Sequence, residues 1–321
     1  QRHRDIPPPE YADVYVYASN NEEALKELLT RAAQASDILI KASGNGVFDR
    51  QLEEMAAALK NTHKHIKVCF WDVDAPATLD RIKSDPSDYF RILIPRYDCI
   101  FTYGGGPAVV NGYARWGAKQ CVPIYNGLDP QTHFRIDSDP EFESDLAFLG
   151  NRLPDREKRV EEFFLSLAEQ RPRQRFLLGG NGWHDRVHGL TNIKYFGHIT
   201  TNRHNAFNST PLAILNINRE SMVRYGYSPP TRIFEAAGAG ACLIIDAWTG
   251  LEHFLTPDKE CLVATSGRDV AALLDTLTPQ RAREIGQAAL KRVLGEHTYS
   301  QRAHLVQCTL RDMFTGRGSR S

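Results

Sequence analysis

The sequence predicts an α/β protein of two doubly wound parallel sheets facing each other across a cleft. Three observations point there. Short β-branched runs alternate with helical patterns from Val14 to Ile124. The stretch from Asn126 to Glu143, rich in Pro, Asp, Asn and Gly, shows no periodicity and reads as a linker. The alternation then restarts at Leu146 and runs to Met313. Strands that alternate with helices of this length require crossover connections, and those give parallel sheets. A chain of 321 residues is long enough for two cores at roughly 100–200 residues per domain.

In the first half, Val14–Ala18 reads as a strand and about Glu22 to Ala35 as an amphipathic helix. Asp37–Lys41 is the next strand, and Asp49–Lys60 a helix with Leu52, Met55, Ala56 and Leu59 on one face. Ile66–Trp71, Cys99–Thr102 and Gln120–Ile124 complete the strands of this half. In the second half the strands are Leu146–Leu149, Arg175–Leu178, Ile193–Phe196, Leu212–Leu215, Cys242–Ile245 and Cys261–Ala264. Glu157–Glu169 and Asp269–Leu277 read as helices. Thr278–Leu294 is another, with Thr278 as N-cap and Pro279 at the first helical position. A last helix spans about Ser300 to Met313. Its Leu305, Leu310 and Met313 need a partner surface, and Thr315–Ser321 is a Gly/Ser/Arg tail expected to be mobile. The resulting domains are 1–140, 141–298, a returning helix over 299–314 and the tail 315–321.

Composition narrows the function classes. Lys+Arg and Asp+Glu are 39 each, so the chain lacks the positive charge of a nucleic-acid binder. No apolar run approaches ~18 residues, and no signal pattern opens the chain, so a soluble cytoplasmic protein is expected. The six cysteines have no metal-ligand spacing, and five sit in or beside strand-like runs, as reduced buried thiols do.

Ligands of doubly wound sheets bind outside the carboxyl ends of the strands, so the candidate residues are sought there. A strand ends at Asn218-Arg219, and a helix opens near Pro230 with Thr231, Arg232 and Glu235 in its first turns, after Ser228. A helix N-terminus attracts a diphosphate, and a nearby carboxylate can accept both hydroxyls of a ribose. The bland reading is a helix packed on its sheet with Glu235 solvated. Asp72-Val-Asp74 ends a strand in the first half. Asp-x-Asp can hold a divalent ion against a diphosphate. Here the favoured reading is a carboxylate lining the cleft and acting as general base, against simple capping of the following loop. Gly104-Gly-Gly-Pro107 is either an anion cradle or a tight strand-to-helix turn, and no Gly-Lys-Ser/Thr follows it. Gly179-Gly-Asn-Gly-Trp183 is a second such loop, either a cleft wall near the donor or a turn with Trp183 packed at its base. His184 and His198 follow strand ends.

Thr231-Arg-Ile-Phe-Glu-Ala-Ala-Gly-Ala-Gly240, with Gly250-Leu-Glu252 and Lys259-Glu260 behind it, resembles the C-terminal domain of CgeB-like (spore maturation protein) glycosyltransferases of the GT-B superfamily. Phe148-Leu-Gly-Asn151, Asp155-Arg156, Tyr195-Phe-Gly-His198 and His297-Thr-Tyr299 follow the family's order. In the first half so do Trp71-Asp-Val-Asp-Ala-Pro76, Ile94-Pro-Arg-Tyr-Asp98 and Gly127-Leu-Asp-Pro130. The resemblance covers about residues 65–310. It implies the GT-B fold, in which two Rossmann-like domains face a cleft. The donor side would hold a nucleotide sugar through Glu235 on the ribose, Gly197 and His198 beside the base, and Arg219 and Arg232 near the phosphates. Gly150, Asn151, Ser228 and Thr231 would complete it, while Asp72 and Asp74 serve catalysis on the acceptor side. It implies no cofactor and no metal. The sequence departs from the family at Tyr227, where many retaining GT-B enzymes carry a glutamate, and at its start, where the family's first βα unit is expected. That unit would be upstream sequence or a second chain, and Val14–Ala18 or Ile38–Ala42 would be the exposed sheet edge without it.

The resulting expectation is a sugar transferase, with UDP-sugar the favoured donor and the acceptor unknown. The alternatives are a sugar-nucleotide epimerase of GT-B type and a non-catalytic GT-B scaffold or partner subunit.

Overall fold

The computed structural model describes residues 10–44 and 46–316. The first parallel sheet holds β1 (Ile38–Ala42), β2 (Lys67–Asp72), β3 (Cys99–Thr102) and β4 (Cys121–Pro123), side by side in chain order. The helices of this half are α1 (Glu22–Gln34), α2 (Asp49–Ala58), α3 (Ala75–Ser84), the single turn α4 (Phe90–Leu93) and α5 (Gly106–Arg115). Strands taken in sequence with right-handed crossovers put their helices on one face. On that face Val68, Phe70 and Ile100 pack against Ala56, Leu79 and Val109. The opposite face presents Cys69, Cys99, Phe101 and Ile124.

The second sheet holds β5 (Leu146–Leu149), β6 (Phe176–Gly179), β7 (Ile193–Gly197), β8 (Ala213–Asn216), β9 (Leu243–Asp246) and β10 (Leu262–Ala264), in spatial order β10-β9-β8-β5-β6-β7. Four of its strands, β5, β6, β8 and β9, are buried along their whole length, which explains their unbroken apolar runs. Strand order reverses where β5 lies between β6 and β8. The helices here are α6 (Pro154–Val160), α7 (Ser166–Gln170), α8 (Thr201–Ser209), α9 (Glu220–Tyr225), α10 (Thr231–Gly238), α11 (Gly267–Thr276) and α12 (Pro279–Glu296). The expected helix over 157–169 is α6 and α7 joined by a wider π-type turn at Glu161–Leu165. Thr278 caps α12 through the Arg281 N–H, with Pro279 first in the helix.

The final helix, α13 (Tyr299–Thr315), opens with a capping box between Thr298 and Gln301 and leaves the second sheet to cover the free face of the first. Val306, Leu310 and Met313 meet Cys69, Cys99, Phe101 and Ile124. Leu305, expected in that contact, is exposed, and Val306 one residue on takes its place. Arg302 ties the helix to the interdomain chain by donating to the carbonyl of Tyr125 at 3.2 Å.

One strand expectation fails. Val14–Ala18 forms no strand pairing among the described residues, and Tyr11, Val14, Tyr15 and Val16 are exposed. Alternation alone cannot make a strand without a neighbour to satisfy its N–H and C=O groups. The edge of the sheet is therefore β1, hydrogen-bonded on one side to β2. The Pro7–Pro9 segment and most of the expected mobile tail lie outside the described residues. All six cysteines are free thiols. Among the described residues no helix is long and apolar enough to cross a membrane.

Candidate active site

The site lies where the carboxyl ends of the second sheet face those of the first. On the second side, α10 begins at Thr231 with no side chain capping its first N–H groups. Arg232 and Glu235 project from it into a narrow space walled by Leu149 at the end of β5 and Asn216 at the end of β8. This is the point where strand order reverses, the usual ligand position in such sheets.

Four arginines converge here, and their partners divide them. Arg159 is paired with Asp246 at 2.7 Å. Arg219 holds Asp155 at 2.7 Å and, across the cleft, Asp74 at 3.0 Å. Arg156 and Arg232 have no carboxylate in ion-pair distance among the described residues. Arg156 is 5% exposed, donates to the Asn151 carbonyl, lies over the Phe148 ring, and leaves its Nε without a partner. Burial, and then the charge of Arg232, lowers the Arg156 pKa to about 10. Burial also lowers that of Arg232, with Glu235 opposing. Two desolvated guanidiniums without counter-charges are costly, and an anion placed between them relieves the cost.

The loops that Gly150, Asn151 and Gly197 belong to form the adjoining wall. The Gly150 carbonyl accepts the indole N–H of Trp183 at 2.7 Å, and Trp183 is fully buried at the base of its loop. Asn151 Oδ1 accepts the Asn181 N–H at 2.8 Å. Gly180, at φ +111°, leaves no room for a side chain, because a Cβ there would lie 2.3 Å from the Gly150 carbonyl. Gly197 also has positive φ, and His198 and His184 are exposed. Ser228 is buried; its hydroxyl donates to the Gly226 carbonyl and its own carbonyl accepts from Asn218 Nδ2. It is thus a structural neighbour of the site, as is Thr231 at the helix start.

On the first side, Asp72 and Asp74 differ although two residues apart. Asp72 is fully buried and accepts from Ser43 Oγ at 3.2 Å, from the Asp74 N–H at 3.0 Å and from the Tyr113 hydroxyl. Burial raises its pKa, against the pull of those donors. Its carboxylate is consumed in tying its loop to Ser43 after β1 and to Tyr113 on α5. Asp74 offers one oxygen to Arg219, and its other, Oδ1, is buried with no partner. Arg219, expected near the phosphates, pairs with Asp155 in its own half and, across the cleft, with Asp74.

The Gly104–Gly106 loop is not open to an anion. A Cβ at Gly104 would meet Ser228 Oγ at 2.9 Å, and one at Gly106 would meet the Tyr227 ring at 2.6 Å. The Gly105 N–H donates to the Tyr227 carbonyl at 2.9 Å. Tyr227, itself at φ +45°, therefore wedges between the domains.

Sequence reasoning missed three members. Arg156 stood in a quoted motif without a role. His133 follows Gly127–Pro130 and places its Nε2 3.8 Å from Glu235 Oε1. His204, on α8, stacks on His133 with ring centroids 5.9 Å apart, and nothing in the sequence connects it with position 133.

Residues 156–307 match a family model described as "Glycosyl transferase-like". The structure is similar to sucrose-phosphate synthase (tll1590) from Thermosynechococcus elongatus, at 14% identity and TM-score 0.65 over 92% of this chain and 80% of that one. It is also similar to Anabaena Alr3699/HepE, solved in complex with UDP-glucose, at 12% identity and TM-score 0.66 over 93% of this chain and 85% of that one. The fold is GT-B. The trehalose-6-phosphate synthase OtsA has the same GT-B architecture, at 13% identity and TM-score 0.62 over 90% and 75% of the two chains. No curated protein sequence matches. The helix α13 packs on the first sheet, and Arg156 and Arg232 both fall within the matched span.

Proposed function

We propose that this GT-B chain transfers a sugar from a nucleoside-diphosphate sugar, with UDP the favoured nucleotide, to a hydroxyl acceptor, and that its specificity is of the CgeB-like kind. The observation that carries this is the unpaired couple Arg156 and Arg232 beside the uncapped start of α10, with Glu235 one turn further in. A leaving diphosphate gains negative charge as the glycosidic bond breaks, and fixed donors in a water-poor site stabilise that charge most. Glu235 accepts the two ribose hydroxyls, and Gly197 and His198 border the base. Asp74, with its free buried oxygen, takes the acceptor proton as general base, and Asp72 positions the loop that presents it. Arg219 holds Asp74 and so links acceptor binding to the donor domain. The charge stabilisation comes from arginines and helix N–H groups, so the proposed chemistry needs no metal.

The test is titration calorimetry with UDP and UDP-sugars. Glu235→Ala should weaken binding by about 1.5–3 kcal/mol, the range for hydrogen bonds to a charged group, with the melting temperature unchanged. Release of UDP should survive EDTA. Unaltered affinity in the variant would remove Glu235 from the ribose. Binding without turnover would leave a scaffold, and turnover lost in EDTA but restored by manganese would reinstate Asp72-Val-Asp74 as a metal site.

A further inference from the structure

His133, His204 and Glu235 come from three separate segments: the interdomain chain, α8 and α10. One ligand atom from each lies within 4.8 Å of the others. The His133 Nε2 to Glu235 Oε1 separation of 3.8 Å is close to the roughly 3.4 Å between donors on a tetrahedral ion with ~2.1 Å bonds. His204 Nδ1 is buried without any hydrogen-bond partner. His204 Nε2 lies 3.2 Å from the Ile199 carbonyl. A proton on Nε2 would donate there and leave the lone pair on Nδ1, the tautomer that a second-shell carbonyl selects in metal sites.

We propose that His133, His204 and Glu235 bind a divalent transition-metal cation, zinc being the best fit, and that this cation and the nucleotide's ribose exclude each other. Two imidazoles and one carboxylate suit zinc; magnesium and calcium prefer all-oxygen sets. The competitive half rests on the assignment of Glu235 to the ribose made above, because one carboxylate cannot serve both. The cation would then act as a reversible brake on donor binding, outside the reaction itself.

The experiment titrates zinc chloride into the full chain by calorimetry, alone and before UDP. Cys308 Sγ and His304 Nε2, 3.6 Å apart on α13, are also atoms of the kind that zinc takes, so each reading is taken as a difference from His133→Ala/His204→Ala. That variant also corrects for zinc held by UDP in solution, and its melting curve without zinc checks that it folds. The expected result is one zinc site lost in the variant. With zinc at ten times its own dissociation constant, the apparent Kd for UDP should rise about tenfold in the unsubstituted chain only. Cobalt should give tetrahedral visible bands that the variant lacks. Equal zinc binding by both chains would overturn the site while leaving Glu235 and the ribose untouched. Zinc bound at the site with UDP affinity unchanged would overturn the exclusion, and with it the ribose assignment.

Discussion

His297 shows what a single buried ring can do to stability. It is 4% exposed, flanked by Phe234 and Phe254, and its Nδ1 lies 2.9 Å from an Arg302 guanidinium nitrogen. Burial first, then Arg302 and Arg292, pull its pKa down to about 3. The folded protein therefore refuses a proton that the unfolded chain accepts near pH 6.5. The stability is fully present above about pH 6.5 and drains away as the pH falls toward 3. Between pH 7 and pH 5 this one residue should cost about 2 kcal/mol. Urea unfolding at the two pH values measures it, and His297→Phe should remove that part of the dependence. A dependence unchanged in the variant would assign it to other groups. Sequence reading quoted His297-Thr-Tyr299 as part of a motif without a reason. The reason lies in the ring's neighbours, Phe234 and Phe254, which only the fold brings together. Glu235 and Arg232 were legible because they share one helix start, whereas the His133–His204 pair was not.

At the scale of elements, α12 seats against the turn after α10 through a single missing side chain. A Cβ at Gly286 would lie 2.1 Å from the Gly240 carbonyl oxygen, backbone that cannot swing aside. Gly295, in the same helix, has nothing within 4 Å of that position. Gly286→Ala should therefore destabilise the protein by about 1–3 kcal/mol through overpacking, despite alanine's better helix propensity. Gly295→Ala should stabilise it by roughly 0.5–1 kcal/mol. Thermal melts of the two variants should move in opposite directions, and shifts of the same sign would refute the contact. Strands β3 and β5 coincide with their apolar runs because each is buried throughout. Val14–Ala18 has as good a pattern and fails, since pattern does not supply a pairing partner. The turn inside α6–α7 was equally invisible, as the helical period continues across it.

Over the whole molecule, two kinds of link join the halves. Near the cleft they are polar: Arg219 between Asp74 and Asp155, and Arg224 with Tyr225 on Asp80. Behind it the link is apolar, through α13. A chain ending at residue 298 should leave the second domain able to melt cooperatively while uncovering Cys69 and Cys99. Those thiols are buried in the full chain, and desolvation holds that of Cys69 up at about 12. Under native conditions a thiol reagent should label them rapidly in the shortened chain and leave them protected in the full one. Equal protection in both would show that the first sheet closes its core without α13.

That arrangement also sets a timetable. A chain emerging from the ribosome presents all four strands of the first sheet by residue 123, yet the helix that covers one face of that sheet is made some 180 residues later. Throughout that interval Phe101 and Ile124 await a partner, so the domain translated first is the last to be completed. The second domain has its strands by residue 264 and its α12 by residue 296, before α13 is translated. For this protein, the half made first waits for the end of the chain to cover its second face.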